Sequence, residues 1–464
     1  MDIKKLIGET TEYDKKGMLE VTKPKSWCKC ISAFANGRGG TLIFGITDDD
    51  RIVGLEDAKK DSEIISEQIK VNLDPIPDYN LDFAEVDGYI LIVLEVYAGD
   101  ETPYYYIGNK ERTAFVRRGN QSVPADRLTL KKLVMKGAKI TYDSLSANVG
   151  FKDLSFSQLR AAFYQATGTS MSDEDFVSFG IVDQNGTLAN AGALLADDSP
   201  VRHSRLFCTR WNGLTMASGL VDAIDDVEYS DGLVQLLKNG VNFIKRNSKN
   251  KWMKLPQGRM DMPDYPDRAV FEGLCNALIH RDYMILGSEV HIDMYDDRLE
   301  IYSPGGMIDG SLVQNIDVLH VASMRRNPII ADIFSRLKYV DRRGSGFKKI
   351  IEDYKRQPTY TEDKHPVFHS ERESFYLELK NLNYDTDVVK DVVKDVVKDV
   401  VKESETEIAI LEQIKIDATS STKQISEKLG VAERTIQRNI KNLKDKGILV
   451  RIGGRRYGKW EIKD

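Results

Sequence analysis

Four cysteines in 464 residues are too few for a disulfide framework, and Cys28, Cys30, Cys208 and Cys275 show no zinc-ligand spacing. Cys28 and Cys30 stand two apart in a predicted helix, so they point to different faces and read as packing residues. This cysteine usage fits a reducing compartment. Histidine is also scarce. The nearest pair, His365 and His369, is interrupted by Pro366, which breaks the helix that would align them as metal ligands. No apolar run reaches the ~18 residues of a membrane-spanning helix. The start, MDIKKLIGETTEYDKK, lacks an apolar signal core, so no export and a cytoplasmic location are expected.

The chain is long enough for two to four domains, on the order of 100–200 residues each. Its 41% hydrophobic and 30% charged residues match a globular protein. A net charge of -6 does not by itself suggest a nucleic-acid binder. The average conceals an asymmetry, because residues 420–464 hold twelve Lys or Arg against five Asp or Glu. A basic module is attached to a more acidic body.

Breakers and periodicity divide the chain into an α/β multidomain protein. Residues 1–140 carry a helix, KSWCKCISAFAN, ending at Asn36, then a strand, TLIFGI, turned at Asp48–Asp50 into RIVGL. A strand pair hinged at Asp87-Gly88, the strand AFVRRG and a helix near 125–136 complete a small α/β sandwich. Residues 150–260 read as a connecting α/β segment, with a helix near 155–165 and β-structure around GALLADD and SRLFCTRWNG. Residues 262–380 hold the helix DRAVFEGLCNALIHRDY, strands EVHIDMYDD and RLEIYSPGG, and a helix after RRGSG. Within 385–403, four copies of Asp-Val-Val-Lys occupy 387–402. They form either a linker or an oligomerising helix whose valine pairs drift about 40° per repeat.

Residues 404–464 predict a winged helix-turn-helix. Ser404 with Glu407, and Ser421 with Gln424, are capping-box signals for two helices, the second ending at Gly430. A third helix at 432–446 places Ile436, Ile440 and Leu443 toward a core. Arg434, Gln437, Arg438 and Lys441 remain on its exposed stripe, as residue types that read base edges or phosphate. Strands GILVRI and KWEI flank a turn whose Arg455 and Arg456 suit phosphate or minor groove. Winged helices also serve protein contacts, in which case these charges are solvated.

In the third segment, Glu272, Asn276 and His280 recur at helical spacing and share one face. The carboxylate of Glu272 can activate water for a weak ATPase, and the Asn276 amide can ligate Mg²⁺ carried by a nucleotide. Gly344-Ser345-Gly346 precedes a helix whose free N–H groups suit phosphate, and Gly305 and Gly306 permit close backbone approach.

Two upstream blocks carry a resemblance. ETTEYDKK, SAFANGRGGTLIFGITDDDRIVG and FVRRGNQSVPAD resemble the Schlafen AlbA-type DNA-binding domain of bacteria. EGLCNALIHRDY, LEIYSPGGM, RRNPIIADIF and RRGSGFKKI resemble the RecG C-terminal-like ATP-binding domain of the GHKL group, whose N-box Glu and Asn correspond to Glu272 and Asn276. Ser303 stands where that group places the aspartate that anchors adenine. The resemblance implies an AlbA-type domain, a GHKL-like α/β sandwich taking ATP and Mg²⁺, and a winged helix, an order found in bacterial transcriptional regulators. Double-stranded DNA is the expected partner, with RNA as an alternative, no membrane, and a homo-oligomer on paired half-sites. Arg117 and Arg118, with Lys23, Lys25 and Lys29, are expected phosphate contacts. The alternative is a metal-dependent nuclease or phage-defence effector. Glu9, Asp14 and Asp48 have a spacing that resembles the Schlafen acidic triad, while Asp48–Asp50 reads equally as a solvated turn.

Overall fold

Strand β1 (Tyr13–Lys16) leads into α1 (Lys25–Ala35), a helix with hardly a solvent face, since Trp27, Cys28, Cys30, Ile31 and Phe34 are all buried. Strand β2 (Gly40–Phe44), helix α2 (Ala58–Asn72), the short β3 (Leu73–Asp74), and β4 (Tyr79–Val86) with β5 (Tyr89–Val96) follow. The four-stranded sheet runs β1-β2-β5-β4, with β1 and β2 parallel and the rest antiparallel. Asp87 and Gly88 both take positive φ, 52° and 82°, the backbone that a two-residue hairpin requires. A second sheet, β3-β6-β7-β8, adds β6 (Tyr105–Tyr106), β7 (Thr113–Arg118) and β8 (Gln121–Pro124), and α3 (Arg127–Gly137) closes the domain.

The computed structural model describes residues 3, 8–216, 222–255, 258–341, 344–384, 406–445, 447–453 and 458–463. The Asp-Val-Val-Lys repeats, Arg455 and Arg456 lie outside the described residues. Two compact units are present, Met1–Asn383 and Tyr384–Asp464.

Beyond α3, the first unit continues with β9 (Ser146–Gly150), α4 (Ser157–Thr167), α5 (Asp173–Ser178), β10 (Thr187–Ala189) and α6 (Asn190–Leu195). Where GALLADD was expected to be β-structure, α6 forms instead. A short apolar run has no decisive period, and its Ala and Leu side chains, buried all round, favour helix once tertiary packing surrounds them.

Next come β11 (Leu206–Trp211), β12 (Ala223–Tyr229), α7 (Leu233–Asn247) and the hairpin β13 (Asn250–Leu255) and β14 (Gly258–Pro263). Helix α8 (Asp267–Ile279), β15 (Val290–Met294), β16 (Arg298–Pro304), α9 (Pro328–Arg336), α10 (Gly346–Lys355), β17 (Val367–Ser370) and β18 (Ser374–Lys380) complete it. One six-stranded sheet runs β12-β11-β15-β16-β18-β17, parallel only between β11 and β15. The segment expected merely to connect therefore donates two strands to this sheet. A single apolar core extends from Phe156 to Leu382. The long spacing between β11 and β15 hides this pairing from any local pattern.

The second unit begins with α11 (406–416), then α12 (Thr422–Leu429), α13 (Glu433–Asp445), β19 (Leu449–Ile452) and β20 (Lys459–Ile462). Ser421 and Gln424 form the expected capping box, and Gly430 ends α12 with φ 66°. Ile410, Ile414, Ile425, Ile436, Ile440, Leu443, Leu449 and Trp460 make its core. No helix among the described residues is long and apolar enough to cross a membrane.

Candidate nucleotide cleft and nucleic-acid interface

Helix α8 sits close against the sheet because Gly273 leaves room, where a Cβ would fall 2.5 Å from Leu377. Together with the sheet, α10 and the end of β16, it bounds a cleft of about 970 Å³, open solvent at the mouth included. The cleft gathers Asn276, Gly305, Gly306, Gly344 and Gly346, which are separated by up to 70 positions in the chain. His280 also lines it, whereas Ser345 is the cap residue of α10 and Glu272 lies just behind. The N-terminus of α10 packs on both α8 residues. A Cβ at Gly346 would come within 2.7 Å of the Asn276 amide nitrogen and 3.1 Å of Glu272 Oε1. Its first backbone N–H groups have no intrahelical acceptors, which is the arrangement that suits an anion.

The cleft walls are apolar, with Ile301, Ile350, Phe347, Phe368 and Phe375 among them. This combination of an apolar slot and a few polar groups is typical of small-molecule sites. Ser303 is buried and its hydroxyl donates to the Ala277 carbonyl at 2.7 Å. The segment 321–324 covers another wall and runs into Arg326. That guanidinium donates to the carbonyls of His280 and Gly306, both at 2.8 Å. Gly305 has φ 105°, and a Cβ there would meet Arg326 Nη1 at 2.1 Å.

Glu272 is buried, and burial raises its carboxyl above the ordinary range, against the pull of Lys349. Lys349 lies 3.5 Å from Glu272 and 2.7 Å from Asp341. His280 is pushed down to about 4, first by burial and then by Arg326 and Arg325. Sequence reasoning missed Lys349, Arg326 and the apolar walls as site residues. Only the RRNPII and RRGSGFKKI motifs hinted at the two cations, and nothing local marked the walls.

In the N-terminal domain two of the three expected acidic residues, Glu9 and Asp14, are neighbours that share Lys16, whereas Asp48 stands apart. Asp14 is buried, pairs with Lys16 and with Arg117 Nη1 at 2.8 Å, and accepts from Cys30 Sγ at 3.3 Å. Glu9 shares Lys16 at 3.3 Å. Asp48 is exposed on the turn, and the carboxylate that reaches back is Asp50, 2.6 Å from Lys15. Among the described residues, no group of three His, Cys, Asp or Glu side chains could hold a metal ion. Arg117, expected on the surface, is 5% exposed and also donates to Ser122 Oγ and the Thr10 carbonyl. It was misread because a basic pair after a strand looks the same whether one member turns inward or outward. Arg118 is half-buried against Asp126 at 3.2 Å, and Lys25 pairs with Glu111.

On α13 the two faces separate as expected. Ile436, Ile440 and Leu443 are buried, while Arg434, Gln437, Arg438 and Lys441 are exposed. Gln437 donates to Glu433 one turn back at 3.3 Å. Trp460 of β20 anchors the wing strand, donating to Ser420 at 3.0 Å, with Arg451 stacked 5.0 Å over its ring.

Three family models match the chain. Residues 8–126 match "Schlafen, AlbA_2", residues 287–379 match "Putative ATP-dependent DNA helicase recG C-terminal", and residues 403–450 match "Winged helix-turn-helix DNA-binding". The second span takes in Gly305, Gly306 and Gly344–Gly346, and α8 lies upstream of it. The chain thus has, in order, an AlbA-type domain, an ATPase-like domain and a winged helix. This architecture supports a DNA-binding protein, and the ATPase-like domain suggests nucleotide binding. No curated protein matches the chain. Similar solved structures include the DIP2311 protein of Corynebacterium diphtheriae, 18% identical over 98% of this chain and 92% of that one, with a TM-score of 0.44. Another is the "N-terminal Domain of Putative ATP-dependent DNA Helicase RecG-related Protein" of Nitrosomonas europaea, 24% identical over 26% of this chain and 85% of that one, with a TM-score of 0.21.

Proposed function

We propose that this protein is a transcriptional regulator that reads duplex DNA with α13 and its wing, and that its middle domain senses ATP. The observation that carries the first half is the division of α13 into a buried apolar face and an exposed face of Arg434, Gln437, Arg438 and Lys441. The second half rests on one cleft gathering Asn276, Gly305, Gly306, Gly344 and Gly346. Apolar walls suit a ring, the glycines let backbone approach it, and the α10 N-terminus suits phosphate. The nucleotide would supply its phosphates and the Mg²⁺ they carry. Asn276 would ligate that metal through its amide oxygen, and Glu272 would orient water. The resting contact of Glu272 with Lys349 favours sensing over turnover. Homo-oligomers on paired half-sites fit this reading.

Fluorescence anisotropy with a labelled duplex tests the DNA half. Arg434→Ala with Arg438→Ala should lower affinity and reduce the slope of log affinity against log salt by about two. Unchanged affinity would sink the assignment. For the ATP half, the parent protein should be thermally stabilised by ATP and Asn276→Ala should not. An absence of stabilisation in the parent rules the sensing domain out.

A further inference from the structure

We propose that the state of the cleft is communicated to the N-terminal domain through the ion pair between Asp282 and Lys132. This rests on the cleft being a nucleotide site and names the route by which an occupied cleft is felt elsewhere.

Asp282 stands behind the cleft, against Gly305 of its lining. Its backbone N–H donates to the Pro304 carbonyl at 2.8 Å, immediately before Gly305. A Cβ on Gly305 would fall 2.7 Å from Cβ of Asp282, so the two are in direct contact. One carboxylate oxygen accepts from the Met284 N–H at 3.0 Å. The other accepts from Lys132 Nζ at 2.6 Å, across 150 positions of sequence. The Asp282 side chain is 11% exposed and that of Lys132 35%, so the pair is only partly screened by water. Lys132 belongs to α3 of the N-terminal domain. The same helix is capped by Asp126, whose carboxylate also holds Arg118 at the end of β7. A second approach lies nearby, where Arg38 after α1 comes within 3.8 Å of the Cβ position of Gly310, past the cleft loop.

The group whose displacement would carry the signal is Arg326. It follows the cleft-lining segment 321–324 and holds the carbonyls of His280 and Gly306. Its field also acts on Asp282. A ligand seated on Gly305 and Gly306, or ordering 321–324, displaces this cation. Asp282 then has Lys132 as its remaining cationic partner, and the pair tightens onto α3. A ligand shifts such an equilibrium only by its differential contact with the two states, and the Gly306–Arg326 contact provides that difference.

Hydrogen exchange with and without ATP tests this on the full chain. In the parent, ATP should change exchange of α3 and of residues 113–124 by about five-fold or more, the lower end of usual coupling. In Lys132→Met that change should vanish while ATP-dependent thermal stabilisation persists. Lys132→Arg, which keeps the cation and leaves Asp282 and Arg326 in place, should retain it, which separates coupling from a damaged fold. A parent that is stabilised by ATP but shows no change in α3, or a Lys132→Met protein that keeps the change, overturns the proposal. A parent that ATP does not stabilise removes the nucleotide reading itself, and the route with it.

Discussion

Replacing Asp14 by Asn keeps the side chain's shape and removes its charge, so it isolates what that charge does inside the N-terminal domain. Asp14 is 3% exposed and faces two cations, Lys16 and Arg117. Lys16 can turn to Glu9, already 3.3 Å away. Arg117 cannot, because its side chain is 5% exposed and its other partners are carbonyls and the Ser122 hydroxyl. The loss therefore falls on one buried guanidinium. Breaking such a pair from one side costs about 3–5 kcal/mol, and the alternative partner for Lys16 points to the lower end, about 3 kcal/mol. That is roughly a 100-fold loss of protection in amide exchange at β1, β2 and β7. The variant Arg117→Met with Asp14→Asn should recover most of it, since no unpaired charge remains. A change under about five-fold in Asp14→Asn would refute the reasoning and free Asp14 for a catalytic role. The pH dependence has a definite sign. Burial raises the Asp14 carboxyl, but Lys16, Glu9 and Arg117 outweigh it and hold it below its usual value. Its contribution is present above the unfolded carboxyl's pKa of about 3.9 and is lost as pH falls through the lower folded value.

Two further outcomes are expected. His280, held near 4 in the fold, stays neutral while the unfolded imidazole protonates near its ordinary value of about 6.5. Stability of the first unit should thus fall by about 2–3 kcal/mol between pH 7 and pH 4, and His280→Gln should flatten that part of a denaturation profile. In the tail, Ile436 is fully buried in a small core. Ile436→Ala should cost about 2–4 kcal/mol, enough to unfold a module of this size. Circular dichroism and anisotropy should show the duplex affinity lost, with the ATP-dependent shift of the first unit retained.

Local signals were reliable wherever a short stretch carries its own physics. The Asp87-Gly88 hinge needs two positive φ values, and the Ser421–Gln424 box caps a helix from within four residues. The spacing of Ile436, Ile440 and Leu443 settles which side of α13 is buried. The glycines and Asn276 were picked out by helical spacing and by glycines flanking a helix start, and the fold gathers them in one cleft. GALLADD was not readable, since a short apolar run is equally good strand or helix until neighbours surround it.

Residues whose meaning depends on distant partners were invisible to the sequence. Arg117 looked like a surface cation until Asp14, 103 positions away, drew it inward. The residues at 206–229 looked like a connector until β11 paired in parallel with β15. Chain order alone determined that an AlbA-type block, an ATPase-like block and a basic winged helix follow one another. Only the fold decided which charges are neutralised in the interior, which side chains wall the cleft, and that Lys132 meets Asp282. Those outcomes depend on long-range pairing and desolvation, which no local pattern encodes.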